Sequence, residues 1–159
     1  MIIRPATPAD APAMADLLNR IIAIGGTTAH QHPKPAERVL VDYIDGPGTL
    51  TCMVAELDGR VVGFQSVGRN PQLSAQTGDI GTFVEPGLQA KGTGAQLFAA
   101  TRAAARAAGL RALNATIRAD NVPGLAYYGR IGFVDYAHDP DWALNDGRVV
   151  GRVSRRFEL

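Results

Sequence analysis

Apolar residues near the start of the chain recur at the spacing of one helical face. The residues in this pattern are Met14, Leu17, Leu18, Ile21 and Ile22. Thr7 and Asp10 are both candidate N-caps of this helix, because a short polar side chain can accept a hydrogen bond from its first turn. The pair Gly25 and Gly26 predicts where the helix ends. A second, shorter helix is predicted over residues 36–44.

Three strands are predicted in the middle of the chain. The apolar run over residues 50–57 and the segment 60–68 indicate the first two. Asp58 and Gly59 lie between them and both tolerate positive φ, so they predict a tight hairpin turn. Residues 76–84 indicate the third strand.

The second half of the chain alternates between helices and strands. A long, alanine-rich helix is predicted to begin near Gly92 and to end at Gly109. The remaining predicted elements are a strand over residues 110–117, a helix over 122–130, a strand that opens at 133–135 and a strand over 148–157. This order is that of a mixed α/β layer rather than a regular repeat of βαβ units.

The composition is that of an ordinary globular protein. We expect one domain over residues 1–159, because a chain of this length leaves little room for a second. Hydrophobic residues make up 46% of the chain and charged residues 19%. The net charge is +1, from 16 basic and 15 acidic residues, which argues against nucleic acid or an anionic membrane as a partner.

The cysteine, the histidines and the length of the apolar segments indicate the compartment and argue against a membrane span and a metal site. The one cysteine, Cys52, cannot form an internal disulfide, so we expect a cytoplasmic protein. No segment reaches the ~20 apolar residues that a membrane span needs, and the N-terminus lacks the pattern of a secretory signal. His30 and His32 are neighbours without a nearby cysteine pair, so we expect no metal site.

The segment before the alanine-rich helix has the residues of a phosphate site. It consists of Gln89, Ala90, Lys91, Gly92, Thr93 and Gly94. The first turn of a helix has unpaired N–H groups and a partial positive charge, and glycines allow a phosphate to approach them. Lys91 adds a charge, and Gln89 or Thr93 a hydrogen bond. The nucleoside-triphosphate loop does not fit, and Leu97 replaces the third glycine of the dinucleotide fingerprint.

A different phosphate motif does fit. The pattern Gln89-x-x-Gly92-x-Gly94 resembles the pyrophosphate-binding motif of the GNAT superfamily of N-acetyltransferases, which is Arg or Gln-x-x-Gly-x-Gly or Ala. A second signature of the family, an asparagine followed by a tyrosine and then Gly-Phe, is matched by Asn121, Tyr128, Gly132 and Phe133. Residues 3–10 are also loosely similar to phosphinothricin-type acetyltransferases. The resemblance covers essentially the whole chain and is most specific over residues 79–133.

The resemblance implies a fold and a cofactor. The fold is α/β, with a mixed, mostly antiparallel sheet of about seven strands, flanked by about four helices and splayed at the cofactor site. The cofactor is acetyl-CoA, with no metal. By similarity, Phe83 and Val84 present backbone groups to the pantetheine arm, and residues 89–94 bind the pyrophosphate. Asn121 holds the arm near its amide end, and the same residue is a candidate helix N-cap.

The resemblance also indicates a catalytic pair. Tyr128 is the candidate acid, because a phenol with a pKa of about 10 is protonated at neutral pH and can donate to a departing thiolate. Its neighbour Tyr127 is the alternative, but the spacing to Gly132 favours Tyr128. Asp79 is the candidate base and stands where some relatives have a glutamate. It is one methylene shorter, which favours a water relay, and Glu85 is the alternative base.

The acceptor is the least determined part of the prediction. His30 and His32 lie in the loop that borders the acceptor pocket of this fold, where either could contact the substrate or act as the base. Trp142 and Tyr136 are candidates for its wall. The leading hypothesis is acetylation of a primary amine on a small molecule, with amino-acid-like molecules among the candidates. The alternatives are a protein or peptide N-acetyltransferase and a non-catalytic CoA-binding sensor. We expect a homodimer.

Overall fold

The structure is a computed structural model that describes residues 1–88 and 91–159. The elements of the first half are β1 (Ile2–Pro5), α1 (Ala11–Ile24), α2 (Ala36–Val39), β2 (Thr49–Leu57), β3 (Arg60–Gly68) and β4 (Thr77–Val84). Those of the second half are α3 (Thr93–Ala107), β5 (Ala112–Arg118), α4 (Val122–Arg130), β6 (Val134–Asp139) and β7 (Arg152–Glu158). The chain after α2 continues as a π-helical turn over Leu40–Ile44, so the predicted second helix is present in two forms.

The strands form one sheet in the order β1-β2-β3-β4-β5-β7-β6. Every neighbouring pair is antiparallel except β4 and β5, which are parallel. This confirms the predicted mixed, mostly antiparallel sheet of seven strands with four helices. At the predicted hairpin, Asp58 and Gly59 have φ values of 51° and 75°, so both turn residues have the positive φ that a tight two-residue turn requires.

Each face of the sheet is covered by two helices. On one face, Met14 and Leu17 of α1 and Val39 of α2 pack against Phe64 of β3 in one buried cluster. Successive side chains of a strand point to opposite faces of the sheet. The side chains on the other face pack against α3 and α4. A Cβ on Gly63, the neighbour of Phe64, would lie 3.3 Å from the side chain of Leu97 of α3. Burial of these apolar side chains is the main source of stability.

The sheet is splayed between β4 and β5. Their parallel pairing joins only Thr77, Gly78 and Asp79 to residues 112–114. Beyond Asp79, β4 stays paired with β3 and β5 stays paired with β7. The two halves of the sheet therefore diverge, and a wedge opens between the far ends of β4 and β5.

The last strand begins later than the sequence predicts. Residues 148–151 lie outside β7, where Val149 forms an isolated bridge with Ala143. Gly151 has a φ of 71°, so the backbone turns there before the strand begins at Arg152. Within the described part of the chain, no helix has the length and apolarity required to cross a membrane.

Both candidate N-caps lie before α1, but Asp10, the N-cap residue, accepts no hydrogen bond from the first turn of that helix. Thr7 precedes a short 3-10 turn over Pro8–Asp10, and its backbone N–H donates to Asp10 Oδ2 at 2.8 Å. Asp10 then stands immediately before α1. Its carboxylate accepts two hydrogen bonds from Arg4, at 2.8 and 2.9 Å, which joins the start of α1 to β1.

The ion pair of Asp10 predicts a pH-dependent contribution to stability. The hydrogen bonds from Arg4 hold the pKa of Asp10 below its usual 3.8. A lowered pKa stabilises the folded state above pH 3.8, and this contribution is lost as the pH falls through the folded-state value. In urea unfolding, we expect Asp10→Asn to lower the free energy of unfolding at pH 7 by about 1–3 kcal/mol. The difference in the free energy of unfolding between this variant and the native chain should decrease below about pH 4.

Asp16→Asn is the matched control for this prediction. Asp16 is exposed on α1 and has no ion pair among the described residues. An equal loss in both variants at pH 7, or a difference for Asp10→Asn that does not change with pH, would contradict the assignment.

Candidate active site

A cavity of about 800 Å³ lies where β4 and β5 diverge. Its lining comes from the segment between α1 and α2, from β4, from the end of β5, from α4 and from the first turn of α3. The predicted site residues that line it are His30, Asp79, Phe83, Val84, Gly94, Asn121 and Tyr128. Tyr127 and Trp142 line it as well. Tyr136 stands outside this lining, so of the two candidates for the pocket wall only Trp142 reaches the cavity.

The predicted phosphate segment is partly inside the described structure. Gln89 and Ala90 lie outside the described residues. Gly92 has a φ of 79° and is the N-cap of α3, a left-handed conformation that favours glycine. Lys91 and Gly92 are exposed, whereas Thr93 is buried and packs against Gly63 of β3. The side chain of Thr93 therefore faces the core, and Thr93 Oγ1 has no hydrogen-bond partner among the described residues.

Gly94 is required by a close contact with Tyr127. A Cβ at this position would lie 2.7 Å from Tyr127 Cε2, which no real contact allows. The hydroxyl of Tyr127 donates to Gly94 O at 2.8 Å. The second glycine of the motif therefore lets the tyrosine ring lie flat against the first turn of α3. Burial raises the pKa of Tyr127 to about 12, so its hydroxyl stays protonated.

Tyr128 is buried at the inner end of the cavity, with 7% of its surface exposed. Its Oη lies 2.7 Å from Thr82 Oγ1 of β4. Burial also raises the pKa of Tyr128 above that of an ordinary phenol, because a phenolate is poorly solvated there. The group is therefore a protonated phenol at neutral pH, as a proton donor requires.

Asp79 lies at the fork, at the last position where β4 pairs with β5. Asn114 Nδ2 donates to Asp79 Oδ1 at 2.9 Å, and Asn70 Nδ2 donates to Oδ2 at 3.2 Å. The hydroxyl of Tyr136 in turn donates to Asn114 Oδ1. These bonds fix the orientation of a carboxylate that lines the cavity.

Glu85, the alternative base, belongs to a different surface. Its Oε1 accepts from Arg60 at 2.6 Å and from Arg20 at 3.1 Å, and the residue is not part of the cavity lining. The geometry therefore favours Asp79 over Glu85.

Asn121 caps α4, as one of its two predicted roles requires. Its Oδ1 accepts from the N–H of Gly124 at 3.0 Å, and its Nδ2 donates to Thr27 O at 3.2 Å. Close to it, Arg118 Nη1 donates to Thr28 O at 3.1 Å. Two side chains on the β5 side of the wedge thus hold the backbone of the segment between α1 and α2.

The structure separates the two histidines. His30 lines the cavity, and its Nε2 lies 2.9 Å from Tyr43 Oη. Burial, helped by the nearby charge of Lys34, lowers the pKa of His30, so the imidazole is uncharged at neutral pH. His32 is exposed, outside the lining, and its Nε2 lies 3.1 Å from Asn145 Nδ2. Only His30 is therefore placed to meet a bound molecule.

Gln65 and Thr82, two polar residues beside the paired tyrosines, were not predicted from the sequence. Gln65 of β3 is fully buried, and its Nε2 donates to Thr82 Oγ1 at 2.8 Å and to Tyr127 Oη at 3.0 Å. A polar side chain within the run Val61–Val67 was the available signal, because burying an amide is unfavourable unless it is hydrogen-bonded.

Comparison with known proteins agrees with the motif. A sequence profile described as the Acetyltransferase (GNAT) family matches residues 16–133. The aminoglycoside N(6')-acetyltransferase type 1 of Stenotrophomonas maltophilia is 33% identical over 137 residues, which cover 82% of this chain and 84% of that protein.

Solved structures share the fold. The ribosomal-protein-alanine N-acetyltransferase of Brucella melitensis has a TM-score of 0.85 at 22% identity, with 100% of both chains covered. A GNAT superfamily phosphinothricin acetyltransferase of Sinorhizobium meliloti, solved in complex with acetyl-CoA, has a TM-score of 0.84 at 18% identity, with 99% of this chain and 88% of that chain covered. The fold, the profile and the sequence relative agree with one another, and the chain belongs to the GNAT family of acetyltransferases.

Proposed function

We propose that this acetyltransferase moves the acetyl group of acetyl-CoA to a primary amine of a small, amino-acid-like molecule. One observation carries the proposal. A protonated phenol, Tyr128, and an oriented carboxylate, Asp79, line the same cavity at the fork of the sheet. The transfer of an acyl group from a thioester to an amine needs a base that deprotonates the ammonium and an acid that protonates the departing thiolate.

The residues around the cavity fit acetyl-CoA. Gly94 lines the cavity at the first turn of α3, where a helix N-terminus favours a phosphate. Arg130 of α4 lines the same cavity and adds a positive charge. Lys91, Gly92 and Thr93, with Gln89 and Ala90 before them, would complete the pyrophosphate site, Thr93 through its backbone. Phe83, Val84 and Asn121 would face the pantetheine arm.

The chain contributes two proton transfers to the reaction. When bound, acetyl-CoA supplies a thioester whose carbonyl carbon bonds to the amine nitrogen while the sulfur leaves with the electron pair of the C–S bond. Asp79 removes the proton that the ammonium must lose before it attacks, directly or through one water. The second proton, which the nitrogen loses once the C–N bond has formed, goes to solvent. Tyr128 holds a proton at Oη and gives it to the departing sulfur, and its phenolate is then reprotonated from solvent. His30, being uncharged, can accept a hydrogen bond from the acceptor.

The charges on the cavity favour an acceptor with an anionic group beside its amine. Among the described lining residues there are five basic and two acidic side chains, which are Lys34, Arg69, Arg118, Arg130, Arg152, Asp42 and Asp79. Asp42 is already paired with Lys34 at 2.7 Å, Arg118 with Asp120 at 2.8 Å and Arg152 with Asp139 at 3.6 Å. Asp79 is left for the acceptor ammonium, and an amino acid could place its carboxylate near Arg69. An aminoglycoside, the substrate named for the relative at 33% identity, has several ammonium groups and would be repelled.

The acceptor class can be tested by thiol release from acetyl-CoA with a panel of amines. We expect an amino acid to react about tenfold or more faster than the matching amine that lacks the carboxylate, because one charge-assisted hydrogen bond is lost. A preference for aminoglycosides, polyamines or lysine peptides would overturn the amino-acid-like acceptor. The protein would still be an N-acetyltransferase. Release with none of these amines, despite CoA binding, would favour the sensor alternative.

The proton donor can be tested with Tyr128→Phe. This variant keeps the ring and removes the acid, so we expect kcat to fall by about a hundredfold or more while CoA binding, measured by calorimetry, stays unchanged. Unchanged turnover would show that Tyr128 is not the donor.

The base can be tested with Asp79→Asn across pH. We expect kcat/KM at pH 7 to fall by about a hundredfold, because the acceptor ammonium keeps its proton. The loss should shrink at alkaline pH, where the amine is deprotonated in solution. Asp45→Asn is the matched control, since Asp45 is exposed and not part of the cavity lining. A loss that is the same at every pH would argue against Asp79 as the base.

A further inference from the structure

Hydrogen bonds connect the first turn of α3 to the hydroxyl of Tyr128. Tyr127 Oη lies 2.8 Å from Gly94 O. Gln65 Nε2 lies 3.0 Å from Tyr127 Oη and 2.8 Å from Thr82 Oγ1. Thr82 Oγ1 lies 2.7 Å from Tyr128 Oη. The chain of bonds is thus continuous from the phosphate end of the cavity to its inner end.

The number of hydrogens restricts the direction of these bonds. Gly94 O can only accept, so the single hydroxyl hydrogen of Tyr127 is directed to it. Tyr127 Oη must then accept from Gln65, which requires the amide nitrogen on that side. The second amide hydrogen of Gln65 is directed to Thr82 Oγ1. Thr82 therefore keeps its own hydrogen, and Tyr128 Oη, 2.7 Å away, is an acceptor for it. The opposite direction, with Tyr128 donating to Thr82 Oγ1, is the alternative that the titration below tests.

The reversed amide does not fit. With its oxygen in the same place, Gln65 would accept from both hydroxyls, and the single hydrogen of Tyr127 could not serve Gln65 and Gly94 O together. Thr82 would then give its hydrogen to Gln65, and Tyr128 would have to give its own to Thr82. In the direction that fits, the hydrogen of Tyr128 is not used by the chain of bonds.

We propose that Gln65 and Thr82 are positioning residues that direct the hydroxyl hydrogen of Tyr128 into the cavity and stabilise the phenolate left after the proton has gone. The proposal rests on the proposed role of Tyr128. Thr82 acts by donating its hydroxyl hydrogen to Tyr128 Oη, and Gln65 acts by holding Thr82 in that direction. Neither residue contacts the acceptor or the sulfur in this scheme.

The burial of Gln65 supports a role other than stability. The residue has 0% exposure, and its Oε1 has no hydrogen-bond partner among the described residues. A buried amide oxygen without a partner destabilises the fold, so an apolar residue of similar size would serve the core better. We therefore expect Gln65→Leu to lose turnover without losing stability in thermal unfolding, and a large loss of stability would count against the proposal.

Thr82→Val tests the positioning directly. It replaces the hydroxyl by a methyl group of similar size, and we expect kcat to fall by about ten- to a hundredfold with KM for acetyl-CoA unchanged. Thr82→Ser should restore most of the activity. Thr101→Val is the control, because Thr101 is a buried threonine outside the cavity lining and its Oγ1 has no partner among the described residues. A raised KM with normal kcat, or no rescue by serine, would overturn the proposal.

A titration of the protein without ligand gives a readout independent of activity. A fluorinated tyrosine at position 128 makes that phenol more acidic and gives it a fluorine NMR signal of its own, so its titration can be followed separately from that of the other tyrosines. We expect Thr82→Val to raise the pKa of this phenol, because the phenolate loses its donor. An unchanged titration midpoint would mean that Thr82 does not donate to Tyr128.

A double-variant cycle separates the failure of this inference from the failure of the proposed function. If Thr82 acts through Tyr128, adding Thr82→Val to Tyr128→Phe should lower kcat no further. Independent, multiplied losses would overturn the positioning role. If Tyr128→Phe alone keeps full turnover, the proposed role of Tyr128 fails and this inference with it. If Tyr128→Phe loses turnover but Thr82→Val does not, only the inference fails.

Discussion

The short parallel pairing between β4 and β5 decides where the rest of the site lies. Only three residues of β4 are paired there, and Asp79 is the last of them. Buried backbone N–H and C=O groups normally need hydrogen-bond partners. At the wedge, β4 finds most of these partners in β3, and β5 finds them in β7. The sheet can therefore open without unfolding. A ligand that enters the wedge reaches side chains in the middle of the domain.

This opening explains why polar groups gather inside the molecule. Gln65, Asn114 and Tyr128 are all buried, yet each lies within hydrogen-bond distance of another polar group. In a medium of low polarity such contacts are stronger than in water, and their geometry is more tightly defined. The same burial that raises the pKa of Tyr128 keeps its proton in place. The environment of this phenol is thus set by the packing of α4 on the sheet.

Local signals predicted much of the fold. The hairpin at Asp58 and Gly59 and the helix over 122–130 depend on residues close together in the chain, and both were predicted at the correct positions. Residue types and a family motif also led to Tyr128 and Asp79 as candidates, and the structure brings both to one cavity. Their chemical roles are proposals that the variants above test.

Contacts between distant residues could not be predicted in the same way. Gln65 meets Tyr127, 62 positions away, only because β3 and α4 pack against the same turn of α3. His32 was expected at the acceptor pocket, but it contacts Asn145 at a separation of 113 positions. Thr93 faces the core because the phase of α3 turns it away from the cavity. No pattern in the neighbouring residues contains this information.

The segment that carries His30 is held just before that residue by two carbonyl groups of its backbone. Arg118 and Asn121 bond to the carbonyl oxygens of Thr28 and Thr27, which any residue at those two positions would supply. Substitutions at these two positions can therefore change the lining of the cavity while the two hydrogen bonds are preserved. A change of acceptor therefore requires no change in the fold. Point mutations in this segment can diversify the cavity of such an enzyme.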